Sequence, residues 1–368
     1  MKKILVAIGT RPDSIKMYPL IKELKKRQRF DVAVVSSGQH REMLLSELSS
    51  MSFGVDRDLQ IMNIGQTLFD ITAKILSGMR AAFEELLPDI VLVHGDTATA
   101  FATSLAAFYM KIPIGHIEAG LRTYNIDEPY PEEFYRRAIA PMARYHFAPT
   151  TGAGENLMRE GIDKRYIFVT GNTAIDAIKD SLKCDFSHPL LDGARGKKII
   201  IFTAHRRESR DYEIRGMLRA VRRLCAARDD ISVIYPIHKN DTIRKIASEE
   251  LTLCSGVVIT EPIESKVFHN ILARSYLIMT DSGGVQEEAS FLGIPTLVMR
   301  NTTERKEILS NLCVKVIGKD EDAIYNAAIT LLENENVYRA CAKATDIFGD
   351  GFASCRIADV LEKSVLEC

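Results

Sequence analysis

Several short polar stretches in this sequence hold residue types that can bind anions or move protons, and each directly follows an apolar run. After Ile4–Ile8 comes Gly9-Thr10-Arg11-Pro12-Asp13-Ser14-Ile15-Lys16. Pro12 suits a helix start, Gly9 allows a tight turn, and Arg11 and Lys16 set two cations near the helix N-terminus, the makeup of an anion site. A plain strand-to-helix turn with solvated charges would read the same way. His94-Gly95-Asp96-Thr97 follows Ile90–Val93, and Glu118-Ala119-Gly120-Leu121-Arg122 follows Ile114–Ile117. A further loop, Glu128 to Arg136, carries Glu132 and Glu133. Converging carboxylates such as Asp96, Glu118 and Glu132 can do general acid–base work, because repulsion and desolvation separate their pKa values. Taken singly, Asp96 also reads as a helix N-cap and Glu132 as a first-turn acid favoured by the helix dipole. Glu118, at the end of a buried strand, has no such ready structural task.

The second half offers Thr203-Ala204-His205-Arg206-Arg207-Glu208, a concentrated polar cluster after a strand, and His238 in a similar position. Its sharpest stretch is Thr280-Asp281-Ser282-Gly283-Gly284-Val285-Gln286-Glu287-Glu288. Ser282 can cap a helix, and Gly283 and Gly284 let a phosphate approach the exposed N–H groups. Glu288 lies on the same helix face as Gly284, where it can accept hydrogen bonds from a ribose diol. A capped helix with dipole-favourable acids is the structural alternative. The sequence has neither a GxGxxG fingerprint nor a GxxxxGK[ST] loop, so the ligand reads as a nucleotide diphosphate bound without either motif. No HxxxH or CxxC spacing is present, and no metal site is inferred.

These loops need rigid elements behind them. Apolar runs of strand length (Ile4–Ile8, Val32–Val35, Ile90–His94, Ile114–Ile117, Ile167–Thr170, Ile199–Thr203, Ile231–Ile237, Val257–Ile259, Leu277–Thr280 and Thr296–Met299) are nearly continuous, as in strands buried on both faces. Amphipathic segments such as Ser14–Lys26, Thr67–Leu87, Tyr212–Arg228 and Glu321–Glu333 separate them. The alternation predicts an α/β chain of two doubly wound, Rossmann-like parallel-sheet domains facing a cleft. The polar, Pro- and Gly-bearing stretch Ser181–Lys198 is the linker candidate. That places an N-terminal domain at 1–180, a C-terminal domain at 198–354 and a helix at 355–368 packing back on the first. In 368 residues, 48 Lys+Arg balance 49 Asp+Glu, which gives no basic excess to argue for nucleic acid. The number of cysteines, 7, is odd, as free thiols in a reducing compartment would allow. The apolar run at the N-terminus is too short for a signal peptide, and no stretch is long enough to span a membrane. The expectation is a cytoplasmic protein.

Taken together, the loops resemble the non-hydrolysing UDP-N-acetylglucosamine 2-epimerases over nearly the whole chain. The matching motifs, in order, are Gly9-Thr10-Arg11-Pro12, Gln39-His40-Arg41, Gly65-Gln66-Thr67, Val93 to Thr97, Gly115 to Arg122, Pro131-Glu132-Glu133, Gly171-Asn172, His205 to Glu208, Asp281 to Gly284 and Thr303-Glu304-Arg305. The resemblance implies the glycosyltransferase-B fold and interconversion of UDP-N-acetylglucosamine and UDP-N-acetylmannosamine. The C2 proton of such a sugar has no carbonyl beside it. Oxidation at C3 would need a nicotinamide cofactor for which the sequence shows no site, and no cofactor is expected. Breaking the C1–O bond instead makes the C2 proton acidic, so that a base leaves 2-acetamidoglucal and UDP, and UDP re-adds after protonation from the opposite face. By the resemblance, Arg11, His205, Ser282, Gly283 and Gly284 hold the diphosphate, Glu288 the ribose and Phe268 the uridine, while Arg305 and Lys26 add binding charge. Asp96, Glu118 and Glu132 match the acid/base carboxylates, with their assignment to faces of C2 left open. Gln39, Glu133 and His238 match a region where a second UDP-sugar activates family members, and the family is commonly homodimeric. Two positions depart from the family pattern: Tyr135 stands where Asn is usual, and Lys306 where Pro is usual.

Overall fold

The computed structural model describes residues 1–39, 47, 54–63, 65–204, 210–252, 254–305, 307–308 and 312–366. The chain forms two compact units, Met1–Asp180 with Phe348–Cys368, and Ser181–Ile347.

The first unit is built on a seven-stranded sheet ordered β3-β2-β1-β4-β5-β6-β7. Its strands are β1 (Lys2–Ile8), β2 (Phe30–Ser36), β3 (Arg57–Asp58), β4 (Ile90–His94), β5 (Ile114–Ile117), β6 (Tyr145–Ala148) and β7 (Ile167–Val169), and all neighbours run parallel. Helices α1 (Arg11–Arg27), α2 (Leu68–Leu86), α3 (Ala98–Tyr109), α4 (Glu132–Ile139), α5 (Thr151–Arg159) and α6 (Thr173–Ser181) connect them. Local chemistry sets the helix starts. Thr10 caps α1 in a reciprocal box with Asp13, and Thr67 caps α2 in the same way with Asp70. The Thr97 side chain caps α3. Each fixes the chain just beyond a strand end or loop, where the candidate residues lie.

The second unit has a six-stranded parallel sheet ordered β10-β9-β8-β11-β12-β13. The strands are β8 (Lys198–Thr203), β9 (Ile231–Pro236), β10 (Val257–Thr260), β11 (Leu277–Thr280), β12 (Thr296–Val298) and β13 (Val314–Val316). Its helices are α7 (Pro189–Asp192), α8 (Asp211–Ala227), α9 (Asp241–Glu250), α10 (Ser265–Leu272), α11 (Gly283–Leu292), α12 (Glu321–Glu333) and α13 (Glu335–Cys341). Phe202 and Tyr235 pack edge-to-face, with centroids 4.8 Å apart, in a core shared with Leu218, Val221 and Leu224 of α8. Both units are doubly wound α/β sheets, and two such units in one chain are the makeup of the glycosyltransferase-B class.

The chain re-enters the first unit at Phe348, ahead of the boundary expected at Cys355. The reason is a close backbone crossing. Asn172 N–H donates to the Phe348 carbonyl at 2.7 Å, and a Cβ on Gly171 would stand 3.1 Å from Gly349 Cα. Helix α14 (Ala353–Leu361) starts on the Asp176 carboxylate, which accepts from Ala353 N at 3.1 Å and Ser354 N at 2.8 Å. Its Ile357, Ala358 and Leu361 then share one core with Met17, Leu20, Ile21 and Leu24 of α1. Strands β3, β6 and β13 were not among the expected runs. β3 and β13 are very short, and His146 and Tyr145 interrupt the apolar signal of β6. Among the described residues, no helix is long and apolar enough to cross a membrane.

Candidate active site

In each sheet the order reverses once, between β1 and β4 in the first unit and between β8 and β11 in the second. Strand ends at such switch points leave a crevice for ligands. Arg11 and Lys16 stand in the first turns of α1, directly after β1, while Asp96 and Glu118 follow β4 and β5, and the first unit brings these three strand ends side by side.

Glu118 is the centre of that group. It leaves β5 with φ 63°, a left-handed backbone uncommon for a residue with a side chain. It is buried, and its Oε2 accepts from Lys16 Nζ at 2.5 Å and from Asn172 Nδ2 at 2.7 Å. His94 Nε2 lies 3.9 Å from the same oxygen. A carboxylate that accepts from an ammonium and an amide on one oxygen is held in position. Lys16 therefore sits in a buried ion pair at the anion loop rather than among solvated charges. Behind it, Asp13 accepts from the N–H groups of Gly9 at 3.2 Å and Thr10 at 3.1 Å. Burial is the main influence on Asp13 and outweighs those bonds, pushing its pKa up to about 6. His116 Nε2 bonds the Gly95 carbonyl at 2.7 Å, which requires the proton on Nε2. Desolvation pushes the His116 pKa down to about 3, so this imidazole is a neutral tie between β5 and the loop after β4.

Asp96 is paired with Arg136 Nη2 at 2.6 Å, and Arg136 is itself buried. Arg136 comes from the last turn of α4, one turn beyond Glu132, so α4 and the Asp96 loop are tied together. Glu133 is fully buried and accepts the N–H groups of Thr123 and Tyr124, each at 3.0 Å. It braces the loop that follows Glu118. Tyr135 is buried, stacks on Phe101 at 4.9 Å and hydrogen-bonds Thr72 of α2 through its hydroxyl. Its departure from the family residue is thus absorbed by packing of α4 on α3.

In the second unit, Ser282 is the N-cap of α11 by position, yet its side chain makes no cap hydrogen bond. Its N–H donates to Thr280 Oγ1 at 2.9 Å. A Cβ on Gly284 would meet nothing within 4 Å, so the helix start is open there. Gly283 is the reverse case, since its Cβ would stand 2.5 Å from Arg305 Nη1. Arg305 is buried, donates from Nε to Glu287 at 2.5 Å and pairs with Glu304. Gln286 ties this cluster to the helix start, donating to the Ser282 carbonyl at 3.1 Å and accepting from Thr303 Oγ1 at 3.0 Å. Glu288 Oε1 lies 3.6 Å from His269 Nε2, and Phe268 precedes that histidine on α10, half-buried. An uncapped helix start with an open glycine and a carboxylate on the next turn can take a phosphate and a diol.

Sequence similarity now decides the family. A model of the family described as UDP-N-acetylglucosamine 2-epimerase matches residues 22–362. The UDP-N-acetylglucosamine 2-epimerase of Bacillus subtilis (strain 168) is 46% identical over 359 residues, covering 98% of this chain and 94% of the relative. The chain belongs to the UDP-N-acetylglucosamine 2-epimerase family. Among solved structures, the S. aureus MnaA–UDP co-structure is 42% identical with a TM-score of 0.96, covering 100% of this chain and 98% of that one. The Neisseria meningitidis UDP-GlcNAc 2-epimerase bound to UDP-GlcNAc is 40% identical with a TM-score of 0.94, covering 98% of this chain and 100% of that one.

For this epimerase-family chain, the structure does not join every expected residue to the site. Lys26 is in the last turn of α1, about 22 Å along the helix from Arg11 at 1.5 Å per residue, and its side chain is 77% exposed. It lies toward the N-terminal ends of the strands, where α1 leads into β2, and pairs with Glu23 at 3.8 Å. Arg11 Nε is held by Glu47 at 2.8 Å. Gln39 accepts from Thr99 Oγ1 at 3.2 Å in the first unit, while His238 Nδ1 accepts from Asn240 N at 3.2 Å in the second. His205 lies outside the described residues, as do His40, Arg41 and Lys306. No group of His, Cys, Asp or Glu suited to a metal ion occurs among the described residues. Two residues outside the expected set border the candidate carboxylates, Arg136 on Asp96 and His94 beside Glu118. Arg136 closes the loop that carries Glu132 and His94 opens the His94-Gly95-Asp96-Thr97 stretch, so both lie in segments that the sequence already marks.

Proposed function

We propose that this chain inverts C2 of UDP-N-acetylglucosamine, forming UDP-N-acetylmannosamine reversibly and without net hydrolysis. UDP is eliminated as C2 loses its proton, and re-adds to 2-acetamidoglucal after protonation from the other face. Two proton-transfer groups and an anion clamp are required. Asp96, Glu118 and Glu132 supply the first set, with Lys16 bound to Glu118. Arg11, His205, Ser282, Gly283 and Gly284 supply the second, with Arg305 adding charge beside Gly283, Glu288 for the ribose and Phe268 for the uracil. The observation that carries the reading is the carboxylate set at the β4, β5 and α4 ends, with Glu118 fixed by Lys16 and Asn172 and Asp96 by Arg136. The test is chromatographic: purified protein with UDP-N-acetylglucosamine alone should give UDP-N-acetylmannosamine at a constant ratio, and accumulation of free UDP would oppose it.

The reading extends to a cytoplasmic homodimer whose rate a second UDP-sugar raises. In support of the dimer, Phe69, Leu87, Phe108 and Tyr109 of the first unit are 87%, 74%, 54% and 67% exposed. The described cysteines are all free, which supports a reducing compartment. Sedimentation at micromolar protein and rate curves against substrate test these points: a monomer, or a strictly hyperbolic curve, would oppose them.

A further inference from the structure

We propose that Asn172 is a positioning residue for the Glu118 carboxylate. This rests on the reading of Glu118 as a proton-transfer group. Asn172 is 1% exposed and follows β7, two strands from β5 in the sheet. Its side-chain oxygen accepts from Ala174 N at 3.0 Å at the start of α6, so the amide nitrogen must face the other way, toward Glu118 Oε2 at 2.7 Å. The reverse orientation would set an oxygen against a carboxylate. A helix start alone would be served by Ser, Thr or Asp as well. The amide does both at once from two separate atoms, accepting from Ala174 N on Oδ1 and donating to Glu118 from Nδ2, which a carboxylate cannot do and a hydroxyl would have to do from one shorter-reaching atom.

The backbone of Asn172 is fixed independently. Its N–H bonds the Phe348 carbonyl where the chain returns to the first unit, and Gly171 and Gly349, both at positive φ, let the two segments touch. Lys16 from α1 and His94 from β4 also face Glu118 Oε2. Lys16 supplies charge on a flexible stem, whereas Asn172 supplies a short, locked donor. With φ 63° at Glu118, the carboxylate is held in its direction by such contacts rather than by regular structure. Its other oxygen, Oε1, is then presented over Gly95, where a Cβ would come within 3.4 Å.

Two variants of the full chain test this. Asn172→Asp keeps the acceptor for Ala174 N and replaces the donor by a like charge beside Glu118. Asn172→Ser keeps a cap and, with its hydroxyl one bond nearer the backbone than the amide nitrogen, withdraws the donor from Glu118 without adding charge. Both should melt near the parent temperature and bind UDP with parent affinity by calorimetry. In both, kcat should fall about tenfold or more while KM stays within about threefold. In Asn172→Asp the limb of the pH profile set by Glu118 should move up by about one unit or more, because a neighbouring anion disfavours ionisation. That shift has the same sign whether Glu118 acts as base or acid. Parent-like kcat and pH profiles in both variants would overturn the proposal, as would losses that follow lowered melting temperature and UDP binding alike. A parent protein that binds UDP yet moves no C2 proton would instead overturn the epimerase reading itself.

Discussion

At the scale of single residues, Glu118 concentrates the chemistry. It combines burial, a left-handed backbone and two donors on one oxygen. Glu118→Gln keeps the shape but removes the charge that Lys16 and Asn172 face. Turnover should fall by about 10²–10⁴, with the UDP dissociation constant unchanged by calorimetry; unaltered turnover would remove Glu118 from the mechanism. Its identity as a candidate was legible in the sequence, because an acid closing a buried strand calls for a task. Its partners were not. Asn172 lies 54 residues further along the chain and Lys16 lies 102 residues before it. Which donors meet is decided by the order β1-β4-β5-β6-β7, which no local pattern states. Glu133 shows the complementary limit: beside Glu132 in the same motif, it spends both oxygens on loop N–H groups.

At the scale of elements, the start of α11 separates two glycines that look alike in sequence. Gly284→Ala meets no atom within 4 Å, so the melting temperature should hold while UDP binding weakens about tenfold or more, through obstruction of the helix start. Gly283→Ala drives a methyl against the Arg305 guanidinium, so stability should fall with binding. Equal effects of the two substitutions on melting would contradict this packing. The first sheet also predicts a pH dependence. The pKa of His116 falls from the ordinary 6.5 to about 3 and that of His146 to about 4, both chiefly by desolvation. The unfolded chain therefore takes up these protons first, and stability present above pH 6.5 is lost as the pH falls, by up to about 1.4 kcal/mol per pH unit for each histidine. Asp13 opposes part of this. Its pKa is raised from 3.8 to about 6, so its own contribution weakens as the pH rises through that window. Urea unfolding at pH 7 and pH 5 should show the net acid loss, and His116→Gln should reduce it. An unchanged slope would contradict the neutral, buried assignment. Helices α1, α2, α8 and α12 were readable from their periodicity and start signals. β6 and β13 were not, because a tyrosine–histidine start and a three-residue strand fall below what an apolar run reveals.

At the scale of the whole molecule, the two doubly wound units and the returning helix follow from alternating buried strands and amphipathic segments, and the sequence placed the first crossing near residue 180. The return at Phe348 was less legible, because it is defined by contact between Gly171 and Gly349 rather than by a change in composition. The central claim concerns the reaction, and the C2 hydrogen reports on it directly. Proton NMR of UDP-N-acetylglucosamine incubated with the protein in D2O should show UDP-N-acetylmannosamine appearing with deuterium at C2, and deuterium entering the returned substrate. Retention of the C2 proton in both sugars, or release of free sugar with UDP, would contradict the account.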